Sequence, residues 1–261
     1  MRLLLVRHGE TVDNVAGNYA GVTDSPLTAH GALQAGRLAA WLAARFSSRP
    51  LRAIFTSDLQ RAARTGGAVR SVCGGDGAVP VPLRTTPLLR ERDFGPLEGV
   101  PCRDCRVDPE TVAETTASMR ARARRFLDEM LLPLLYRPGS RADDVCVVVA
   151  HGLLLRVLYA CLLECVPFGR LTLERSLMPG AAGAGAGAAS PMYPGWANTG
   201  YLECMLLPGS PNDHQDLRMH VLQVNCTTHL KDMRRTRGGI GSAAYDSRQR
   251  SIDSYFAAPA R

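Results

Sequence analysis

Residues 145–149 form an unbroken apolar run, and this run constrains the fold more than any other segment of the chain. A strand that is covered by helices on both faces has no side chain in contact with water, so its sequence is continuously apolar rather than alternating. Such strands occur in parallel sheets, where helices connect one strand to the next. The run therefore predicts an α/β protein with a buried central strand.

The flanking segments alternate between helical and strand patterns. Apolar spacing predicts helices, and short apolar segments bounded by polar residues predict strands. The predicted helices cover residues 27–46 with Thr28 as N-cap, a segment that begins after Ser57 or Asp58, residues 109–136, and a segment after His151. The further predicted strands cover residues 2–6, 51–56, 79–83, 201–207 and 218–224. This order predicts a three-layer α/β sandwich, in which helices flank a mostly parallel central sheet.

The composition divides the chain into one domain and a tail. Residues 1–230 are predicted to form a single domain, because a chain with 46% apolar residues can build one substantial core. Within it, residues 179–191 are almost entirely Ala and Gly, which predicts a flexible loop. Residues 231–261 contain seven Lys or Arg and three Asp, a net charge of +4 out of the chain's +7. We therefore expect a basic tail, and a domain that does not bind nucleic acid directly.

The apolar segments also bear on the cellular compartment. The run at residues 3–6 is too short for a signal-peptide core or a membrane span, so we expect a soluble protein of the cytoplasm, the nucleus or both, with no membrane partner. The eight cysteines are irregularly spaced and are expected to be reduced. Cys102 and Cys105 form one C-x-x-C without a second pair, so no zinc site is predicted from them.

Three predicted strands end in cationic or imidazole side chains. Arg7 and His8 follow the first strand, Arg61 lies one turn beyond the end of the second, and His151 follows the run at 145–149. Parallel strands present their carboxyl ends along one edge of the sheet, and ligands of α/β proteins bind outside that edge. We therefore expect two arginines and two histidines to line one cleft, which would bind an anion.

A phosphoryl group suits such a cleft. The guanidinium groups of Arg7 and Arg61 match the geometry of phosphate oxygens and stay charged. The positive surroundings disfavour a further cation, so they lower the pKa of His8 and leave its imidazole neutral and nucleophilic. His151 would donate a hydrogen bond to the charge that develops in the transition state.

Two further residues complete the predicted site. Glu91 follows the next predicted strand and would donate the proton that the leaving oxygen needs. Gly152 begins the helix after His151, where unpaired backbone N–H groups and the helix dipole favour phosphate. No metal site and no cofactor are expected, because two arginines would repel a cation and the other histidines lack the spacing of metal ligands.

These residues belong to a longer pattern that resembles the histidine phosphatase, or phosphoglycerate mutase, superfamily. The matching blocks are LVRHGET at 5–11, SPLT at 25–28, TSDL at 56–59 with Arg61, RE at 90–91 and VAHG at 149–152. The resemblance implies that His8 is the phosphorylated nucleophile, that the two arginines and His151 hold the phosphate, and that Glu91 is the proton donor. It adds three residues that would touch the substrate or its phosphate, namely Asn14, Gly21 and Thr23.

The predicted activity is metal-independent hydrolysis of a phosphomonoester through a phosphohistidine. The substrate would be a small phosphorylated metabolite, such as a sugar bisphosphate, or a phosphoprotein. Residues 198–200 and 225–230 are similar to the TIGAR-type fructose-2,6-bisphosphatases. The alternative enzyme is a phosphoglycerate mutase, which returns the phosphoryl group to the bound product. The segment between Gly99 and Glu114 is shorter than the covering insertion of the mutases, which favours transfer to water.

The tail contains a pattern that resembles a PCNA-interacting peptide, the motif that binds the DNA sliding clamp. Its residues are Gln249, Ile252, Tyr255 and Phe256. One helical turn would place the last three on one face, as a plug for an apolar pocket. Clamp binding would imply nuclear residence, and an adaptor that acts mainly through this tail is a further alternative to an enzyme. A short terminal helix packed on the protein's own domain would show the same spacing.

Overall fold

A computed structural model describes residues 1–73, 81–178, 194–209, 217–234 and 239–246. The Ala/Gly segment predicted to be a flexible loop and the clamp-binding pattern at 249–256 both lie outside these residues. Within the described residues, no helix is long and apolar enough to cross a membrane.

Within the described part of the chain, seven strands form one sheet. They are β1 (Arg2–Arg7), β2 (Leu51–Ser57), β3 (Leu83–Thr86), β4 (Val145–Ala150), β5 (Leu171–Leu173), β6 (Tyr201–Leu207) and β7 (Arg218–Cys226). Their spatial order is β3-β2-β4-β1-β6-β7-β5. Because β6 pairs antiparallel with both β1 and β7 while the other pairs are parallel, β6 alone among these strands runs in the opposite direction. The predicted mostly parallel sheet is confirmed.

Helices cover both faces of the sheet. They are α1 (Val12–Ala16), α2 (Ala29–Arg45), α3 (Gln60–Cys73), α4 (Pro109–Val112), α5 (Thr116–Phe126) and α6 (Gly152–Glu164). Successive residues of a strand point to opposite faces, so Leu3 and Leu5 pack with α5 and α6, while Leu4 and Val6 pack with α2 and α3. Each fully buried Leu or Val stabilises the fold by about 1.5–3 kcal/mol relative to exposure. The three-layer sandwich is therefore confirmed, and β4 at its centre is buried on both faces.

The helix start at α2 agrees with the sequence, and at α3 the agreement is partial, since the Ser57 hydroxyl accepts a hydrogen bond from the Leu59 N–H at 3.3 Å just before the helix. Thr28 caps α2, since its side-chain oxygen accepts a hydrogen bond from the Gly31 N–H at 2.9 Å. At α3 the Gln60 N–H donates to Asp24 at 2.7 Å, so a distant loop supplies this cap. Asp58 forms a two-point ion pair with Arg90 instead.

Two predicted elements have different bounds in the structure. Of the strand expected at 79–83, residues 79 and 80 lie outside the described residues, and β3 runs from Leu83 to Thr86 after Pro82, which has no N–H for a ladder. The single helix expected over 109–136 is divided into α4 and α5, since Thr115 accepts a hydrogen bond from the Ser118 N–H and starts a new helix. Beyond α5 the chain continues as a π turn at Leu127–Leu131 and a 3-10 turn at Leu132–Leu134, which contains Pro133.

Part of the basic tail packs on the domain. The Ala29 N–H donates to the Ala243 carbonyl at 3.0 Å, and the Tyr245 N–H donates to the Leu27 carbonyl at 2.9 Å. The folded body thus extends past the boundary expected at residue 230. The division into a domain and a tail stays a prediction.

Candidate active site

The registers of the central strands bring the predicted site residues together. Arg7 lies opposite Ala150 in the β1–β4 pair, so His8 and His151 are the first residues beyond adjacent strand ends. The His8 N–H donates to the Ala150 carbonyl at 3.0 Å, and the centres of the two imidazole rings are 5.0 Å apart. Arg61 reaches the same place from the first turn of α3.

His8 is held as a neutral imidazole, and one of its ring nitrogens is unprotonated. It is buried, and its Nδ1 lies 2.7 Å from the Gly9 carbonyl oxygen, which can only accept a hydrogen bond. The proton is therefore on Nδ1, and Nε2 carries a lone pair. Burial, followed by the charges of Arg61 and Arg7, holds the pKa of His8 well below its ordinary value of 6.5.

His151 has the opposite tautomer. Its Nδ1 accepts a hydrogen bond from Arg61 Nε at 3.2 Å, so the proton is on Nε2. That Nε2 is buried and has no hydrogen-bond partner among the described residues. The pKa of His151 is held well below 6.5, chiefly by burial and next by the charge of Arg61. One ring of the pair thus offers a lone pair and the other offers an N–H.

Most of the donors of Arg61 are already engaged. Besides the bond to His151, its Nη1 donates to the Thr23 carbonyl at 2.7 Å, and its Nη2 donates to the carbonyls of Ala20 and Gly21 at 2.9 and 2.6 Å. One N–H of Nη1 is left for a ligand, rather than the full fork that the sequence suggests. The buried Arg61 therefore acts as a fixed charge that also shapes the loop around it.

Arg7 keeps more of its hydrogen-bonding capacity. Its Nη1 donates to the Trp196 carbonyl at 2.6 Å, while its Nε is buried and has no partner among the described residues. Gly152 lies beside it, and a Cβ there would stand 3.8 Å from Arg7 Nε and 4.0 Å from a Glu91 carboxylate oxygen. Gly152 thus gives the start of α6 close access to both side chains.

The Glu91 carboxylate lies across the start of α6. Its oxygens accept hydrogen bonds from the backbone N–H groups of Leu153 at 3.1 Å, Leu154 at 2.9 Å and Arg92 at 3.0 Å. The neighbouring arginines do not pair with it, since Arg90 binds Asp58 and Arg92 binds a different glutamate. Glu91 is therefore fixed at the cavity by the helix.

One arginine holds the turn that carries Glu91. Arg122 donates to the carbonyls of Leu88 and Arg90, and to the Glu91 carbonyl at 3.0 Å. Its two remaining N–H groups bind the Glu114 carboxylate, each at 2.9 Å. All five donors of this guanidinium are engaged, so the fork fixes the turn in one geometry.

The three residues implied by the resemblance lie in different places. Asn14 lines the cavity, where its side-chain oxygen accepts a hydrogen bond from Asn198 at 3.0 Å. Gly21 and Thr23 lie behind Arg61 and outside the cavity wall, and the side chain of Thr23 binds Glu98. A Cβ on Gly21 would lie only 2.1 Å from the Arg92 carbonyl, so close packing requires glycine there. The structure gives Gly21 and Thr23 a role in holding Arg61, and a contact with substrate stays a prediction.

The site opens into a cavity of about 300 Å³. Besides the predicted site residues, its wall contains Asn18, Tyr19, Ala20, Phe94, Cys102, Leu153, Arg156 and Trp196. None of these eight was predicted from the sequence to belong to the site. Arg156 carried the clearest signal, because it lies one helical turn after Gly152 and therefore shares its face of α6. Among the described residues, no group of three or more His, Cys, Asp or Glu side chains could hold a metal ion.

Comparisons with known proteins find a matching family and several relatives. The family model of the histidine phosphatase superfamily (branch 1) matches residues 3–173. A probable phosphoglycerate mutase of Yersinia enterocolitica is 32% identical over 190 residues, which cover 67% of this chain and 80% of that protein. A 2,3-bisphosphoglycerate-dependent phosphoglycerate mutase of Xanthobacter autotrophicus is 31% identical, over 69% of this chain and 88% of its own.

A solved structure shares the fold. The mycobacterial glucosyl-3-phosphoglycerate phosphatase in complex with inorganic phosphate superposes with a TM-score of 0.62 and 23% identity, over 87% of this chain and 98% of that one. At this level of identity the likeness concerns the fold alone. The TIGAR-type resemblance and the clamp-binding pattern stay predictions.

Proposed function

This chain belongs to the histidine phosphatase superfamily, and we propose that it hydrolyses phosphate monoesters through a phosphohistidine formed on His8. Its superfamily supports a phosphatase enzyme. The observation that carries the proposal is the tautomer of His8, because the Gly9 carbonyl takes Nδ1–H and leaves Nε2 with a lone pair beside two arginines.

In the first step, His8 Nε2 attacks phosphorus and the bond to the ester oxygen breaks. Arg7 Nε, the His151 Nε2–H and the remaining N–H of Arg61 are the donors for the phosphoryl oxygens, and they need no rearrangement as charge develops. Glu91 gives a proton to the leaving oxygen, so the product departs as an alcohol. The enzyme then holds a phosphoryl group on nitrogen.

In the second step, water attacks the same phosphorus and the P–N bond breaks. Glu91 takes the proton that the water loses, which restores its starting state, and inorganic phosphate leaves. The phosphoryl charge is matched throughout by Arg7, Arg61 and His151. We therefore propose that the reaction requires no metal, and that a chelator leaves the rate unchanged.

The direct test is to trap the intermediate. Enzyme mixed with ³²P-labelled substrate and quenched in alkali should retain label that acid releases, as expected for phosphate on nitrogen, and peptide mapping should place the label on His8. Label that is stable to acid, or that maps to a serine or aspartate, would overturn the mechanism. The His151→Ala variant serves as a control, since it removes the donor but keeps the nucleophile.

A mutase uses the same intermediate and is the second candidate, because two of the relatives are phosphoglycerate mutases. The segment that covers the site favours water as the acceptor. It provides one three-residue turn at Cys102–Asp104 and the four-residue α4, and only Cys102 of these reaches the cavity wall. Incubation with 3-phosphoglycerate distinguishes the two activities, since a phosphatase releases inorganic phosphate and a mutase yields 2-phosphoglycerate.

The proposed substrate is a small phosphorylated metabolite. A sugar bisphosphate of the kind hydrolysed by TIGAR-type enzymes is one candidate, because residues 198–200 and 225–230 resemble the corresponding residues of those enzymes. A panel of phosphorylated metabolites, with a phosphopeptide as the protein-like member, tests this class.

The tail is proposed to bind the DNA sliding clamp, which would place part of the protein in the nucleus. Support comes from the pattern of Gln249, Ile252, Tyr255 and Phe256, and from the docking of Ala243 and Tyr245 on the domain, which would anchor the pattern near its surface. The full chain should bind purified clamp at tens of micromolar or below, and a Tyr255→Ala, Phe256→Ala double variant should not. Equal binding by both would exclude the motif.

A further inference from the structure

One peptide group of the loop after β1, between Gly9 and Glu10, links His8 to helix α2. Its carbonyl oxygen lies 2.7 Å from His8 Nδ1 and fixes the tautomer of that imidazole. Its N–H, which belongs to Glu10, donates to the side-chain oxygen of Gln34 at 2.9 Å. We propose that Gln34 is a positioning residue, which acts through this peptide to keep the proton of His8 on Nδ1 and the lone pair on Nε2. The inference rests on the proposed function.

Helix α2 lies unusually close to this peptide. A Cβ on Gly31 would lie 2.0 Å from the Glu10 carbonyl oxygen, and a Cβ on Gly9 would lie 2.5 Å from the Gly31 carbonyl oxygen. Glycine at both positions therefore permits the contact between the helix and the loop. Gly31 and Gln34 are three residues apart and share one face of α2. The close approach at Gly31 thus brings the Gln34 side chain within reach of the peptide N–H.

The peptides on either side are held by other groups. The Gly9 N–H, in the preceding peptide, donates to the Thr65 hydroxyl at 3.1 Å. The Glu10 carbonyl, in the following peptide, accepts a hydrogen bond from the Thr28 N–H at 2.9 Å. The peptide between them can still turn, because glycine permits a wide range of backbone angles. The bond to Gln34 is the contact from α2 that sets its direction.

Loss of the Gln34 oxygen would be transmitted to His8 by a simple route. Gln34 and Glu10 are both buried, and a buried peptide N–H that loses its acceptor is costly. The peptide lowers this cost by turning toward another acceptor or toward water. Because a peptide group is planar and rigid, its carbonyl turns with the N–H and moves away from His8 Nδ1. The imidazole then adopts both tautomers, and the one with the proton on Nε2 has no lone pair for phosphorus.

The test compares substitutions that differ in one acceptor. Gln34→Met keeps the length of the side chain but has no oxygen, whereas Gln34→Glu keeps an acceptor oxygen in either protonation state. A single turnover of p-nitrophenyl phosphate with enzyme in excess measures the phosphorylation step. Its rate should fall about 10- to 100-fold in Gln34→Met and stay within about fivefold of wild type in Gln34→Glu. Inhibition by inorganic phosphate should change by less than about threefold in both, because the arginines that bind it are unaltered.

The tautomer of His8 is a readout that stability alone does not move. In ¹⁵N NMR of the histidine side chains, the His8 signals are those absent from His8→Ala, and their shifts distinguish a protonated from an unprotonated ring nitrogen. Wild type and Gln34→Glu should show the proton on Nδ1, and Gln34→Met should show a mixture. Gln34→Asn, whose amide is one methylene too short to reach, should resemble Gln34→Met and provides a second, polar variant.

The matched control is Leu42→Ala, which lies two turns further along α2 and is buried in the core. The cavity it leaves should lower the midpoint of denaturant unfolding while the single-turnover rate and the His8 tautomer stay as in wild type. Equal loss of rate in Leu42→Ala and Gln34→Met, with the tautomer unchanged, would reduce Gln34 to a residue of general stability.

This inference and the proposed function fail on different measurements. If the wild-type enzyme is phosphorylated on His8, but Gln34→Met and Gln34→Asn keep the wild-type rate and the proton on Nδ1, the role of Gln34 is wrong and the phosphatase stands. If the phosphoryl group of the wild-type enzyme maps to another residue, the proposed function itself is overturned.

Discussion

The bottom and the rim of the cavity are built in opposite ways. At the bottom, His8, Arg61 and His151 are buried and hydrogen-bonded to one another or to backbone carbonyls. At the rim, Arg156 is exposed and has no partner among the described residues. Groups that are fixed before the substrate arrives need no reorganisation during the reaction, which is the requirement for stabilising a transition state. An exposed side chain without such a partner is not fixed in this way.

This difference between the bottom and the rim of the cavity predicts which kinetic property each substitution changes. Changes at the bottom should affect the chemical step for every substrate, and changes at the rim should alter the choice among substrates. Between them lies Glu91, whose effect should depend on the leaving group.

The largest effect is expected for His8→Ala. Loss of the proposed nucleophile should reduce kcat by at least about 10⁴-fold for aryl and alkyl phosphates alike, since both require the same attack by His8 Nε2 on phosphorus. Stopped assays with both substrate types measure this loss, and circular dichroism checks that the variant is folded. A variant that keeps even a tenth of the wild-type kcat would show that the bottom of the cavity does not act through His8.

The bottom of the cavity could be predicted because it depends on strand ends. Arg7, His8 and His151 follow strands whose apolar runs are distinct in the sequence, and parallel pairing then brings them together. The rim could not be predicted in the same way. Tyr19, Cys102 and Trp196 come from irregular segments whose approach to the cavity depends on tertiary packing, which local patterns do not encode.

The second largest effect is expected for Glu91→Gln. The amide keeps the shape of the side chain but cannot donate the proton, so alkyl phosphates should lose about 10² to 10⁴ in kcat/KM. Aryl phosphates, whose leaving groups need little protonation, should lose much less. Rates measured across a series of leaving groups give the dependence directly. Equal losses along the series would assign Glu91 to the structure of the α6 start alone.

A smaller effect with the same signature is expected for Arg122→Lys. Lysine lacks the planar fork that binds three carbonyls and the Glu114 carboxylate, so the turn that carries Glu91 loosens. Misplacement of a proton donor should cost about 10 to 10² in kcat, again more for alkyl than for aryl phosphates.

The control for this variant is Arg45→Lys. Arg45 forms an ion pair with the buried Glu203 at 2.9 Å, on a different helix and outside the cavity wall. If both variants lower the melting temperature but only Arg122→Lys shows the leaving-group dependence, Arg122 positions Glu91. The same kinetic profile in both variants would reduce the role of Arg122 to general stability.

The fold itself was predictable to the level of its layers but not of its edges. The runs that became β1, β2 and β4 are buried on both faces, and their apolar sequences reflect it. The edge strands β3 and β5 have four and three residues and are only partly buried, so they carry little apolar signal. The interruption between α4 and α5 at Glu114 has another cause. The Glu114 carboxylate accepts two hydrogen bonds from Arg122, a tertiary contact that overrides the helical pattern around it.

The smallest effect concerns a histidine behind the bottom of the cavity. His229 lies against Thr199, whose N–H donates to the carbonyls of Arg7 and His8, so it supports the end of β1. The Thr199 hydroxyl donates to the Asn198 carbonyl, hence His229 Nε2 is the donor in their 2.9 Å contact and its buried Nδ1 has no partner among the described residues. Protonation would create a buried N–H without an acceptor, and burial accordingly lowers the pKa of His229 to about 4.

The sign of the pH effect follows from this shift. In the unfolded chain His229 has its ordinary pKa of 6.5, so between pH 6.5 and about 4 the unfolded state binds the proton more tightly. Its contribution to stability is complete above pH 6.5 and is lost as the pH falls toward 4.

The variant that tests this effect is His229→Gln, which keeps a donor for Thr199 but cannot titrate. Denaturant unfolding of both proteins at pH 7.5, 6 and 5 should therefore show that the wild type loses about 2 kcal/mol more than the variant by pH 5, since pH 5 lies about 1.5 units below the unfolded pKa and one unit corresponds to about 1.36 kcal/mol. His8 and His151 also have lowered pKa values, but they are present in both proteins and cancel in the difference. Parallel pH profiles for the two proteins would mean that His229 is not neutral and buried in the folded state, and that the end of β1 is supported in some other way.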